Sequence, residues 1–205
     1  MFSTLANRLS LLRILLSPVF FFLCISSAPP LRHFSLLVFL IAALTDWYDG
    51  VLARRLNAVT NAGKFLDPLA DKFLTSAAFL AFAALGLVAW WMVWAIVVRD
   101  VLITVLRSLG EARGARIVTS KTAQTKTFVQ MVALYYVLLL VVSRDVRWVQ
   151  ATFGTDIFTT LLNPVLLYWL MLAVTVLTLF TGLQYLYDNR SFLATLFVAR
   201  KRSAD

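Results

Sequence analysis

From Phe73 to Val98 the chain runs for 26 residues without a charged side chain. About 20 apolar residues in helical form cross the hydrocarbon core of a bilayer, so a run of this length is read as membrane-spanning. The rest of the chain agrees, with 61% of its 205 residues hydrophobic and 14% charged, against roughly a quarter charged in an ordinary soluble domain. Its mean hydropathy is +0.84. Soluble, disordered and collagen-like classes are excluded. The single cysteine, Cys24, lies inside an apolar run, which excludes an internal disulfide and a cysteine zinc site.

The apolar runs sort into six crossings. The first occupies Ile14 to Leu31 and closes at Ala28-Pro29-Pro30, where proline ends a helix. The second begins near His33, is apolar to Thr45, and must continue past Asp46 to reach the far side. The Phe73–Val98 run, with flanks from Asp67 to Arg107, holds two crossings that turn near Gly86. A fifth covers about Thr127 to Ser143, and a sixth lies within Ile157 to Tyr187, entered through Asn163-Pro164. The expected fold is an all-α integral membrane protein of six transmembrane helices with both termini cytoplasmic. With no repeat, low-complexity stretch or linker, residues 1–205 read as a single domain. The tail over about 188–205 sets Phe192, Leu193, Leu196 and Phe197 beside Arg190, Arg200, Lys201 and Arg202, the pattern of an interfacial anchor. Residues 1–28 also fit a signal peptide, with Ser26-Ser27-Ala28 as the cleavage site; its removal leaves five crossings.

Charge tests the six-span reading. With the amino terminus in the cytoplasm, all of the 19 lysines and arginines except Arg32, Arg144 and Arg147 fall on the cytoplasmic side. The net charge of +9 then reflects loops beside an anionic leaflet, and no nucleic-acid partner is implied. The working face is the cytoplasmic side of the inner membrane.

Four of the ten acidic residues, Asp46, Asp49, Asp67 and Asp71, flank one short cytoplasmic turn. Aspartate at the centre of a membrane helix costs about 2.5 to 3.5 kcal/mol, so carboxylates here need compensation. Asp46 and Asp49, at i,i+3, share a helical face, as do Asp67 and Asp71 at i,i+4. Gly50 and Ala53 continue the first face and leave it open to a ligand. Two such faces brought together make an all-oxygen site, which suits Mg²⁺, Mn²⁺ or Ca²⁺. Zinc is disfavoured, because the only histidine, His33, sits at the opposite side. The competing role is structural: a salt-bridge network with Arg54, Arg55, Lys64 and Lys72. Asp67-Pro68 also reads as an N-cap followed by proline at the first helical position. A divalent-cation transporter is a further alternative, although it needs carboxylates near the midplane along a through-path, and these lie at helix ends.

Written out, the segment is Asp46-x2-Asp49-Gly50-x2-Ala53-Arg54-x8-Gly63-x3-Asp67-x3-Asp71. It resembles the signature of the CDP-alcohol phosphatidyltransferase family at all eight defining positions. The resemblance implies the family's six-helix membrane fold, usually as a homodimer among membrane lipids. It also implies transfer of a phosphatidyl group from CDP-diacylglycerol to an alcohol with release of CMP, using two divalent cations, Mg²⁺ or Mn²⁺. By the same resemblance the metal ligands are Asp46, Asp49, Asp67 and Asp71, and Asp71 also acts as general base. The CDP-lipid is bound by Asp49, Gly50, Ala53, Arg54, Gly63 and Asp67.

The strings Arg54-Arg55-Leu56-Asn57 and Val59 through Lys72, with Asn7, Leu11, Arg13 and Pro18 near the start, are similar to the branch of that family whose acceptor is sn-glycerol 3-phosphate. A phosphorylated acceptor needs cations, and the candidates are Arg99, Arg107, Lys121 and Lys126, with Arg113 and Arg116 as further possibilities; lipid-headgroup contact is the competing role for most of them. Two departures stand in this half: Arg99-Asp100 where that branch usually has Arg-Glu, and Ala123-Gln124 where Gly-Lys is common. Serine, inositol phosphate and phosphatidylglycerol therefore stay open as alternative acceptors.

Overall fold

The computed structural model describes residues 5–56, 61–113, 121–154 and 156–193, with residues 5–8, 46–56, 61–67, 112 and 121 described through their backbone. Among the described residues there are six helices of 20 to 28 residues and two short ones: α1 (Leu5–Cys24), α2 (Pro29–Leu56), α3 (Asn61–Ala84), α4 (Trp90–Ala112), α5 (Lys121–Ser143), α6 (Arg147–Phe153), α7 (Asp156–Leu161) and α8 (Pro164–Asp188). No strand occurs among them. Two stretches, Thr122–Ser143 and Pro164–Asp188, are long and apolar enough to cross a bilayer, and Leu9–Cys24 and Pro29–Thr45 are shorter apolar helical stretches.

Helix α8 shows which solvent the fold is built for. Trp169, Val176, Phe180 and Leu183 point outward, each more than half exposed, while Thr175, Thr178, Thr181 and Gly182 are buried. In water the polar face would turn out. Here small and hydroxyl-bearing residues form the helix–helix face and large apolar ones the rim, as in proteins whose surroundings are hydrocarbon. The described residues form an all-helical fold with the faces of a membrane protein.

Helix α1 packs along both α2 and α3, α3 against α4, and α8 against both α4 and α5. The core runs through these contacts as Phe20, Phe39, Phe79, Phe82, Met92, Leu134, Leu138 and Met171, all but sealed from solvent. Phe39 joins helices by ring contacts, lying 5.3 Å from Phe20 and 5.7 Å, edge-on, from Tyr135. The expected turn at Gly86 is present. Gly86 adopts φ 72°, the Gly86 amide donates to the Ala83 carbonyl (2.9 Å) and the Leu87 amide to that of Phe82 (3.0 Å), which is the Schellman ending that requires a left-handed residue. Asn163 caps α8 by accepting from the Val165 amide at 2.8 Å, with Pro164 next in the first turn.

Several boundaries differ from the sequence expectation. α1 begins at Leu5 and ends at Cys24, and Pro29 and Pro30 open α2 instead of closing the first helix. The reason is that proline's missing N–H costs nothing in a first turn. Pro68 lies inside α3, so Asp67 is not the N-cap. α5 starts at Lys121, ahead of Thr127, and the short helices α6 and α7 lie between α5 and α8, α7 taking up the start of the Ile157–Tyr187 run. Arg32, from the start of α2, pairs with Asp145 just past α5 and donates to the Ser26 carbonyl at 2.8 Å. It thus sits at the same end of the bundle as Arg144, as the charge pattern groups them.

Gly86→Ala tests the turn. A methyl there meets nothing within 4 Å, so only backbone strain is added, and the expected loss is about 1 kcal/mol, seen as a lower unfolding temperature in detergent. Gly86→Asn is expected to lose less, because asparagine tolerates the left-handed region.

Candidate active site

Helices α3, α4, α5 and α8 enclose a cavity of about 690 Å³. Its wall includes Asp71 and Lys72 from α3, Arg99, Asp100 and Arg107 from α4, Lys126 from α5 and Tyr185 from α8. Asp71 therefore shares one cavity with three of the four cations proposed for a phosphorylated acceptor. The Asp71 side chain is about one-third exposed, with Oδ2 3.4 Å from Lys72 Nζ.

The wall is organised around Asp100. Lys126 Nζ donates to Asp100 Oδ1, Arg99 Nη1 donates to the same oxygen at 2.9 Å, and Gln130 Nε2 donates to Oδ2 at 3.1 Å. Lys126 and Gln130 are one turn apart on α5, so a single face of that helix delivers both donors. The Asp100 and Lys126 side chains are 3% and 2% exposed. Burying either charge alone costs several kcal/mol; together they neutralise each other. The Lys126 ammonium is thus paired with Asp100, whereas Arg107 is exposed and, among the described residues, held by Glu111, Nε to Oε1 at 2.8 Å. An exposed pair of this kind contributes little and leaves the guanidinium available.

The other site expectations fall as follows. Asp46, Asp49, Gly50, Ala53 and Arg54 are positions on α2, and Gly63 and Asp67 on α3; their side chains lie outside the described residues, as does that of Lys121. Arg116 is wholly outside them. Because all four aspartates are on helical backbone, the Asp46/Asp49 and Asp67/Asp71 pairs each share a helix face, and an all-carboxylate donor set of that kind fits hard divalent cations. Among the described residues no three metal-ligating side chains converge. Of the proposed salt-bridge network, the described pair is Lys72 with Asp71; Arg54, Arg55 and Lys64 lie outside. Arg113 is exposed at the end of α4 and does not line the cavity.

Asp100, in the cavity wall, and Gln130, Thr181 and Gly182, which contact Asp100 or Arg99 from behind it, carry no motif in the sequence. One signal was available: an aspartate in an apolar helix demands a partner, and Lys126 with Gln130 at i,i+4 in the next long helix supplies one.

A second hollow of about 640 Å³ lies between α1, α3 and α4. Leu15, Phe21, Phe22, Phe73, Leu80 and Val97 line it, and Lys72 lines both this groove and the polar cavity. The two spaces therefore meet at one side chain.

The sequence profile of the CDP-alcohol phosphatidyltransferases matches residues 3–183, and the chain belongs to that family of enzymes. Among curated relatives, a CDP-diacylglycerol–glycerol-3-phosphate 3-phosphatidyltransferase of Bacillus subtilis (strain 168) is 37% identical over 147 residues, which is 66% of this chain and 76% of the relative. Proteins of the same name from Salmonella typhimurium (strain LT2) and Escherichia coli (strain K12) are 36% and 34% identical over 193 residues, covering 90% of this chain and 94% of each relative.

Asp100→Ala leaves Lys126 buried and unpaired, and a loss of about 3 to 5 kcal/mol is expected. Replacing both, as Asp100→Leu with Lys126→Met, is expected to recover most of it. Thermal unfolding of the purified variants in detergent checks the pair.

Proposed function

We propose that this enzyme transfers the phosphatidyl group of CDP-diacylglycerol to sn-glycerol 3-phosphate, giving phosphatidylglycerol phosphate and CMP. The observation that carries the reading is the cavity that sets the Asp71 carboxylate beside Arg99 and Arg107, a base and two cations in one space. The relatives' names supply the donor and the acceptor.

In this reading Arg99 and Arg107 hold the acceptor's phosphate, and Asp100 with Lys126 makes the wall behind them rigid. The acceptor hydroxyl gives its proton to Asp71. The freed oxygen bonds to the phosphatidyl phosphorus as the bond from that phosphorus to CMP breaks. Asp46, Asp49, Asp67 and Asp71 would hold two divalent cations, Mg²⁺ or Mn²⁺, which when bound supply charge neutralisation at the pyrophosphate. Gly50, Ala53 and Gly63 give the CDP group close approach, with Asp49, Arg54 and Asp67 as its polar contacts. The apolar groove takes an acyl chain of the donor, since Lys72 joins it to the headgroup space.

The chain in this reading is a single domain with six spans, placed in the inner membrane as a homodimer, its site and both termini facing the cytoplasm and its 188–205 tail lying at the interface. The charge distribution supports that orientation.

The test is CMP release by purified protein given CDP-diacylglycerol and, separately, glycerol 3-phosphate, serine, inositol phosphate or phosphatidylglycerol. Release with glycerol 3-phosphate alone is expected; release only with another acceptor overturns the acceptor assignment. EDTA is expected to abolish turnover and added Mg²⁺ or Mn²⁺ to restore it. Asp71→Asn is expected to lower kcat by at least about 100-fold at saturating metal, and a loss of less than about threefold removes the general-base role.

A further inference from the structure

Arg99 is gripped from a helix far away in sequence. Its Nη2 donates to Thr181 Oγ1 on α8 at 2.9 Å, while Nη1 is held by Asp100 on its own helix at 2.9 Å. Thr181 is buried, and its hydroxyl donates back along α8, with Oγ1 2.9 Å from the Leu177 carbonyl oxygen and 3.1 Å from that of Thr178. A hydroxyl whose proton is spent this way presents its lone pairs to the guanidinium. The next residue, Gly182, is where α8 lies against the arginine stem. A methyl at Gly182 would stand 2.9 Å from Arg99 Nε and 3.0 Å from its Cγ, closer than packed atoms come. These are atoms in the middle of the side chain, so accommodating the methyl means displacing the guanidinium.

We propose that Thr181 and Gly182 are positioning residues that seat the Arg99 guanidinium in the cavity wall, ready for the phosphate of the acceptor. The proposal rests on the reading of Arg99 as an acceptor-phosphate contact. An arginine free to rotate loses that freedom when it binds an anion, whereas one clamped by Asp100, Thr181 and the bare backbone at Gly182 has lost it during folding. The clamp acts on the acceptor and leaves the CDP-lipid end, on α2 and α3, untouched. Thr181 and Gly182 touch neither substrate; they act through Arg99.

The experiment measures KM for glycerol 3-phosphate and for CDP-diacylglycerol, from CMP release by the full-length protein, in Gly182→Ala, Thr181→Val, Thr181→Ser and Arg99→Ala. Gly182→Ala and Thr181→Val are expected to raise KM for glycerol 3-phosphate about tenfold, the loss of one well-placed charged hydrogen bond, with KM for the donor changed less than about twofold. Thr181→Ser keeps the hydroxyl and is expected to stay within about twofold of the parent. Added to Arg99→Ala, Gly182→Ala is expected to raise KM no further, because both act through the same group. The proposal is overturned if Gly182→Ala and Thr181→Val leave KM for glycerol 3-phosphate unchanged, if they shift both KM values equally, or if their effect persists in full beside Arg99→Ala. If Arg99→Ala itself leaves that KM unchanged, the phosphate role of Arg99 fails first and is recognised as such. Should Gly182→Ala not fold, Thr181→Val with its serine counterpart carries the same comparison.

Discussion

A carboxylate sealed among apolar helices has to be neutralised where it stands, and Asp100 meets that demand with donors from α4 and α5. Lys126 and Gln130 reach it from α5, and Arg99 links Oδ1, the oxygen that Lys126 holds, onward to Thr181 of α8. A pair this deeply buried adds little net stability compared with an apolar isostere, yet it is costly to break. Its effect is therefore on arrangement. Shifting α5 by one residue relative to α4 would strand both charges, so the pair selects one relative register for the helices that form the cavity wall.

From that register the division of space follows. On one side of Lys72 the wall is polar, with the Asp71 carboxylate and the guanidinium groups of Arg99 and Arg107; on the other it is lined by leucine, phenylalanine and valine. A phosphatidyl transfer has to bring a water-soluble alcohol to a lipid at headgroup depth. A polar cavity and an apolar groove that share Lys72 in their walls suit those two reactants, each in the surroundings it prefers. α1 contributes to the groove while packing along both α2 and α3, the two helices that carry the aspartates.

The outward faces tell the same story from the solvent's side. In hydrocarbon, burying apolar area gains nothing between helices, and association rests on close packing and on polar groups that find each other. The threonine and glycine face of α8 follows from that, and it leaves room for the arginine stem at Gly182. A leucine in that position would have served a soluble bundle better and closed the place where Arg99 lies.

Read as a linear string, the sequence determined the apolar character, the approximate course of the long helices, the Gly86 turn and the family signature from Asp46 to Asp71, because each is a matter of composition or of spacing within a few helical turns. It misplaced helix ends, since the loss of apolar side chains marks the edge of the hydrocarbon and not the end of the backbone hydrogen bonding: α1 runs back to Leu5 and α5 to Lys121. Which partner each buried cation finds was decided only in three dimensions. Lys126 meets Asp100 across 26 residues and Arg99 meets Thr181 across 82, and partners so far apart along the chain are chosen by how whole helices pack, which no local pattern encodes.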